Sequence, residues 1–135
     1  MKYLSNSVQN TIDIGKNFSK NIQGGTVVAL VGDLGAGKTA FSKGVALGLG
    51  VTTNIVSPTF VLCCEYFGSK YNLVHIDAYR LKDINPYETG IFEKIDDIDN
   101  IIIVEWAEYL NVVYHYKINI ITISDSEREI SIIKI

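Results

Sequence analysis

The chain has 135 residues and a mass of 15.0 kDa, with 47% hydrophobic and 20% charged residues. That size and balance fit a single domain over residues 1–135 and exclude a disordered chain. Twelve basic against fifteen acidic residues give a net charge of −3 and a pI of about 5.3, which excludes a generally basic nucleic-acid coat.

Mean hydropathy is +0.19, yet no apolar run approaches the ~18 residues a membrane span needs, so no membrane partner is expected. The first residues, Met1-Lys2-Tyr3-Leu4-Ser5, lack the apolar core and cleavage site of a secretory signal. Cys63 and Cys64 are adjacent, a spacing that suits neither a disulfide framework nor a zinc site. These features predict a cytoplasmic protein with free thiols.

In chain order, residues 10–22 alternate at helical spacing, anchored by Ile12, Phe18 and Ile22, with Gly24-Gly25 as the stop. Residues 26–31 (TVVALV) are β-branched and uncharged, the pattern of a buried strand. A glycine-rich turn follows, then a helix over 38–49. Strands are predicted at 61–67 and 73–76 around a Gly68-Ser69 turn, and Pro86 marks the start of a short helix with Glu88 in its first turn. Residues 101–104 form a second strongly apolar strand. Two late strands, 117–123 and 129–135, flank Asp125-Ser126-Glu127-Arg128 and predict a terminal hairpin. Strands that alternate with helices and then run alone predict an α/β fold. Its expected form is a P-loop NTPase-type three-layer sandwich, mainly parallel at the centre with an antiparallel C-terminal addition.

Gly32-Asp33-Leu34-Gly35-Ala36-Gly37-Lys38-Thr39 fits the G-x-x-x-x-G-K-[ST] pattern. Glycines let the backbone turn so that its N–H groups face phosphate oxygens, and a helix beginning at Lys38 aims its positive end at the same anion. The Lys38 ammonium is expected to reach the β- and γ-phosphates, and the Thr39 hydroxyl to bind Mg²⁺. No base-reading Asn-Lys-x-Asp of a GTPase is present, so ATP is favoured over GTP. Two predicted strands end in carboxylates, at Asp77 and Glu105. Strand ends on one side of a parallel sheet meet at the ligand crevice, so both can face the loop; the alternative for each is a solvated acid.

The runs GDLGAGKT (Gly32 to Thr39), SPTF (from Ser57), HIDAYR (from His75) and VEW (from Val104) occur in this order, and together they resemble the bacterial TsaE (YjeE) family. The resemblance covers roughly residues 8–128. It implies a small P-loop ATPase required for the threonylcarbamoyl modification of adenosine 37 in ANN-decoding tRNAs. It also implies work with the TsaD and TsaB proteins, which meet the tRNA, so that this chain contacts tRNA only indirectly. Carried onto this sequence, Leu34, Gly35, Ala36, Gly37, Lys38 and Thr39 cradle the phosphates, while Thr39 and Glu105 bind Mg²⁺. Asp77 orients the attacking water beside Lys38, and Thr59 senses the γ-phosphate. The segment around Val8, before the first helix, and Arg128 flank the adenine.

Other residues keep two readings. Arg80 is one of only two arginines, suited either to an anion or to a salt bridge with the Asp77 loop. Trp106 is a packing anchor or a partner contact. His75 is a hydrogen-bonded structural histidine or a catalytic one. Two rival functions remain alongside the ATPase: a nucleotide-gated binding module, and a small-molecule P-loop kinase. The scarcity of arginines for a lid weighs against the kinase.

Overall fold

The computed structural model describes residues 1–58 and 62–135. Its regular elements, in chain order, are β1 (Lys2–Ser5), α1 (Val8–Ser19), β2 (Val27–Gly32), α2 (Lys38–Gly48), β3 (Cys63–Tyr66), β4 (Asn72–Asp77), α3 (Ile91–Asp96), β5 (Asn100–Glu105), β6 (Tyr116–Thr122) and β7 (Arg128–Lys134). Short 3₁₀ turns lie at Ala78–Asp83, Pro86–Glu88 and Ala107–Tyr109.

The seven strands make one sheet in the order β1-β7-β6-β2-β5-β4-β3. The four central strands, β6, β2, β5 and β4, are parallel, and the remaining pairs, β1–β7, β6–β7 and β3–β4, are antiparallel. The predicted α/β class and parallel centre are therefore observed, with antiparallel strands at both edges rather than at the C-terminus alone. The terminal hairpin is also observed, but β6 belongs to the parallel centre because it pairs with β2. β1 was not expected from sequence.

Alternation along each central strand divides the core in two. Val28, Leu30, Leu73, Ile101 and Ile103 face α1 and α2. Val27, Val74, Ile76, Ile102 and Val104 face α3 and the 3₁₀ turns. These two cores give the expected three layers, the second one thin. Among the described residues no helix is long and apolar enough to cross a membrane.

The first helix is shifted from its sequence expectation. Ser7, in extended conformation, accepts a hydrogen bond from the Asn10 N–H and caps α1 so that Val8 is its first residue rather than a lead-in. Its other end is at Ser19, well before Gly24-Gly25. α1 crosses α2 closely because glycines meet there: a Cβ on Gly44 would sit 1.9 Å from the Ile12 carbonyl oxygen, and one on Gly15 2.3 Å from that of Phe41. This crossing fixes α2 over the sheet, and with it the loop from which α2 starts.

Candidate functional site

β2 is buried on both faces and delivers the chain to the glycine-rich loop at Gly32. The loop then turns through two positive-φ glycines, Gly35 (φ +79°) and Gly37 (φ +110°), a backbone state that L side chains avoid. An Ala36 N–H···O=C Asp33 bond of 2.9 Å closes the turn. Gly37 precedes α2 with no side-chain cap, and the first turn of α2 carries no acidic residue. Its leading N–H groups and the positive helix end are thus directed at the mouth of the loop, a geometry suited to an anion. Leu34 stands fully exposed at the loop tip, whereas Ala36 is buried beneath it.

A fork from a distant strand holds this loop from behind. Arg128, first residue of β7, donates from Nε to the Ala36 carbonyl at 3.0 Å and from Nη2 to that of Gly35 at 3.3 Å. Its Nη1 donates to the carbonyls of Ser124 (2.7 Å) and Glu127 (3.0 Å). Sequence reasoning assigned Arg128 to the adenine and did not foresee this brace, which joins residues 92 apart. Val8 is exposed at the start of α1.

The two strand-end carboxylates are neighbours, as expected. Asp77 and Glu105 are partners in the parallel register of β4 and β5, and Glu105 in turn lies opposite Leu30, two residues before the loop. Asp77 is buried and accepts a bond from the Tyr79 N–H, which starts the following 3₁₀ turn. Glu105 sits between two basic groups. One oxygen lies 3.3 Å from Lys38 Nζ and the other 2.7 Å from Nε2 of fully buried His75. Lys38 also donates to the Gly32 carbonyl at 2.7 Å. Burial pushes the Glu105 carboxyl up, but the hydrogen bond from His75 and the nearby Lys38 ammonium outweigh it and hold the group below the usual carboxylate range.

Lys38, Asp77 and Glu105 line one cavity of about 760 Å³, together with Gly32, Leu34, Arg80, Lys82 and Trp106. Trp106 has a left-handed backbone (φ +58°), the one positive-φ non-glycine residue among those described. It packs against Tyr79, ring centres 5.2 Å apart, and Tyr79 meets Tyr109 edge-on at 5.7 Å. Thr39 lies in the first turn of α2, and Thr59 lies outside the described residues.

The oxygen donors here suit Mg²⁺, which takes one or two protein ligands and completes its shell with phosphate and water. Among the described residues no cluster of three or more His, Cys, Asp or Glu is placed to form an all-protein metal cage.

Residues 5–130 match the family described as threonylcarbamoyl adenosine biosynthesis protein TsaE. The chain belongs to the TsaE family. A Treponema pallidum protein named tRNA threonylcarbamoyladenosine biosynthesis protein TsaE is 36% identical over 136 residues, covering 98% of this chain and 99% of its own. A Bacillus subtilis protein of the same name is 36% identical over 134 residues, covering 97% of this chain and 84% of its own. The crystal structure of Bacillus subtilis YdiB superposes with a TM-score of 0.77 at 33% identity, over 98% of this chain and 83% of that one. The family is thus one of tRNA threonylcarbamoyladenosine biosynthesis. In this TsaE-family chain, the Lys38–Glu105–His75 row is what motif reading missed. The alternation of β4, with Leu73, His75 and Asp77 on one face, was the available signal.

Proposed function

We propose that this chain is a slow Mg²⁺-dependent ATPase that acts with TsaD and TsaB in forming the threonylcarbamoyl group on adenosine 37 of ANN-decoding tRNAs. The observation that carries the reading is the placement of Lys38 at the foot of an uncapped helix, 3.3 Å from a carboxylate buried at the end of the neighbouring strand. In this reading the backbone of Leu34, Gly35, Ala36 and Gly37 cradles the phosphates, and Lys38 leaves Glu105 for the β- and γ-phosphates. Thr39 and Glu105 would hold Mg²⁺, which neutralises charge developing on the phosphate oxygens. Asp77, in register with Glu105, orients the water that attacks the γ-phosphorus in line, and ADP leaves with phosphate as the second product. Val8 and the flat face of the Arg128 guanidinium flank the adenine, with Thr59 as the γ-phosphate sensor.

Arg128 has its edge committed to backbone carbonyls, which leaves few guanidinium groups for a catalytic finger in a chain with two arginines. Since such a finger is worth ~10³–10⁵ in rate, turnover by the chain alone is expected to be slow until a partner completes the site. The same scarcity disfavours a phosphoryl-transferring kinase with an arginine-lined lid.

The test is ATP hydrolysis by the purified chain, alone and with TsaB–TsaD, beside Lys38→Ala. Slow turnover raised by the pair and lost in the variant is the expected result. ATP binding without stimulated hydrolysis would replace this reading with a nucleotide-gated module, and phosphate recovered on a small acceptor would replace it with a kinase.

A further inference from the structure

We propose that His75 is a positioning residue that fixes the Glu105 carboxylate so that one chosen oxygen is presented to Mg²⁺. The inference rests on the reading of Glu105 as a metal ligand and adds a residue that does not itself touch metal or nucleotide.

His75 has no exposed surface and lies mid-way along β4, which is paired on both sides, to β5 and to β3. Its ring therefore has little freedom. Nε2 lies 2.7 Å from Glu105 Oε2, while Nδ1 is buried and has no hydrogen-bond partner among the described residues. That asymmetry selects a tautomer. A neutral ring protonated at Nε2 donates to the carboxylate and leaves only a bare lone pair unpaired. An imidazolium, or a ring protonated at Nδ1, would bury an N–H donor without an acceptor, which costs more.

A glutamate at a strand end can otherwise rotate about three side-chain bonds. With Oε2 held by His75, the remaining oxygen, Oε1, is the one that faces Lys38. Once Lys38 turns to phosphate, Oε1 is free while Oε2 stays tied, which gives a single, fixed oxygen. Mg²⁺ demands near-ideal octahedral geometry and gains most from a ligand held this way. The Lys38 contact alone does not do this, because its ammonium is also the group that must leave.

The experiment follows ADP binding through the fluorescence of Trp106, first in EDTA and then across a Mg²⁺ titration, for wild type, His75→Leu, His75→Gln and Glu105→Gln. His75→Leu is expected to bind metal-free ADP within about twofold of wild type but to need ~10–100-fold more Mg²⁺ for the full effect. In His75→Gln, the terminal amide can stand in for Nε2–H and should recover most of the loss. Should the Leu chain fail to fold, His75→Asn, whose shorter amide falls short of Glu105, takes its place. Independently of metal, long-range proton–nitrogen spectra of the wild-type imidazole should show the proton on Nε2 and a bare Nδ1. An unchanged Mg²⁺ requirement in Glu105→Gln would overturn the ligand reading. An impaired Glu105→Gln beside an unaffected His75→Leu, or a wild-type ring protonated at Nδ1, would overturn the positioning role alone.

Discussion

Lys38 is held by Glu105 and by the Gly32 carbonyl, so under the proposed function ATP competes with the protein for its own lysine. Glu105→Gln removes that competition. At 3.3 Å and an effective dielectric of about 20, the ion pair is worth about 5 kcal/mol of attraction before desolvation. Both side chains are largely buried, so much of that is offset by the loss of water around them, and a charge-assisted bond of this kind is worth about 1.5–3 kcal/mol net. Allowing for the retained bond to Gly32, about 1.4 kcal/mol should return to the ligand, a factor of ~10 in affinity. Loss of a negative charge beside a triphosphate acts in the same direction. We therefore predict that Glu105→Gln binds ATP ~10-fold tighter than wild type in EDTA, while added Mg²⁺ no longer strengthens binding. Trp106, the chain's only tryptophan, lines the same cavity and reports the titration. A metal-free affinity that falls in Glu105→Gln would refute the competition argument.

Three further predictions concern the scaffold. Arg128→Lys keeps the charge but loses the fork that spans Gly35, Ala36 and Ser124. It should cost about 1–3 kcal/mol in denaturant unfolding and weaken ATP binding, and a variant with wild-type affinity would show that the brace is dispensable. Gly44→Ala would gain about 1 kcal/mol of helix propensity. However, its Cβ would lie 1.9 Å from a backbone oxygen of α1 that cannot yield locally, so a net loss of about 1–3 kcal/mol and a thermal midpoint lower by roughly 4–12 °C are expected.

Tyr114 donates to the carbonyls of Leu110 (2.9 Å) and Ala107 (3.1 Å). Burial, helped by the charge of Glu108, holds its phenol well above the ordinary tyrosine range. The unfolded chain therefore loses this proton first. The contribution is complete below pH ~10 and is lost as pH rises beyond it, so the ~1–2 kcal/mol deficit of Tyr114→Phe at neutral pH should shrink in alkaline melts. A gap that stays constant with pH would contradict this.

Local signals and distant pairings contributed differently to what the sequence disclosed. β2, the glycine loop and α2 were legible because an apolar run, positive-φ glycines and a helix start fall within about twenty consecutive residues. The pairing of Asp77 with Glu105 was legible too, since parallel strands that end in carboxylates bring them to one edge. β1 was not, because Lys2–Ser5 is a strand only through its register with β7. The end of α1 was misplaced because the helix closes on tight turns at Lys20 and Asn21, whose N–H groups bond the carbonyls of Asn17 and Phe18, rather than on the glycine pair that follows. The roles of His75 and Arg128 were hidden for a different reason. Each is a hydrogen bond between residues 30 or more apart in the chain; the alternation of β4 puts His75 on the face of Asp77 but does not name its partner, and nothing local marks the Arg128 brace.

The strand order has a consequence for synthesis on the ribosome. β2 carries the phosphate loop, yet one of its flanking strands, β6, and the strand bearing the Arg128 brace, β7, are made almost a hundred residues later. β1, made before β2, has β7 as its partner. The nascent chain therefore exposes a nearly complete nucleotide motif long before it can support it, and β1 waits unpaired until β7 is made. Assembly of the loop becomes a late event in folding, tied to the emergence of β6 and β7, so that a chain cut short before Arg128 carries the motif without its brace.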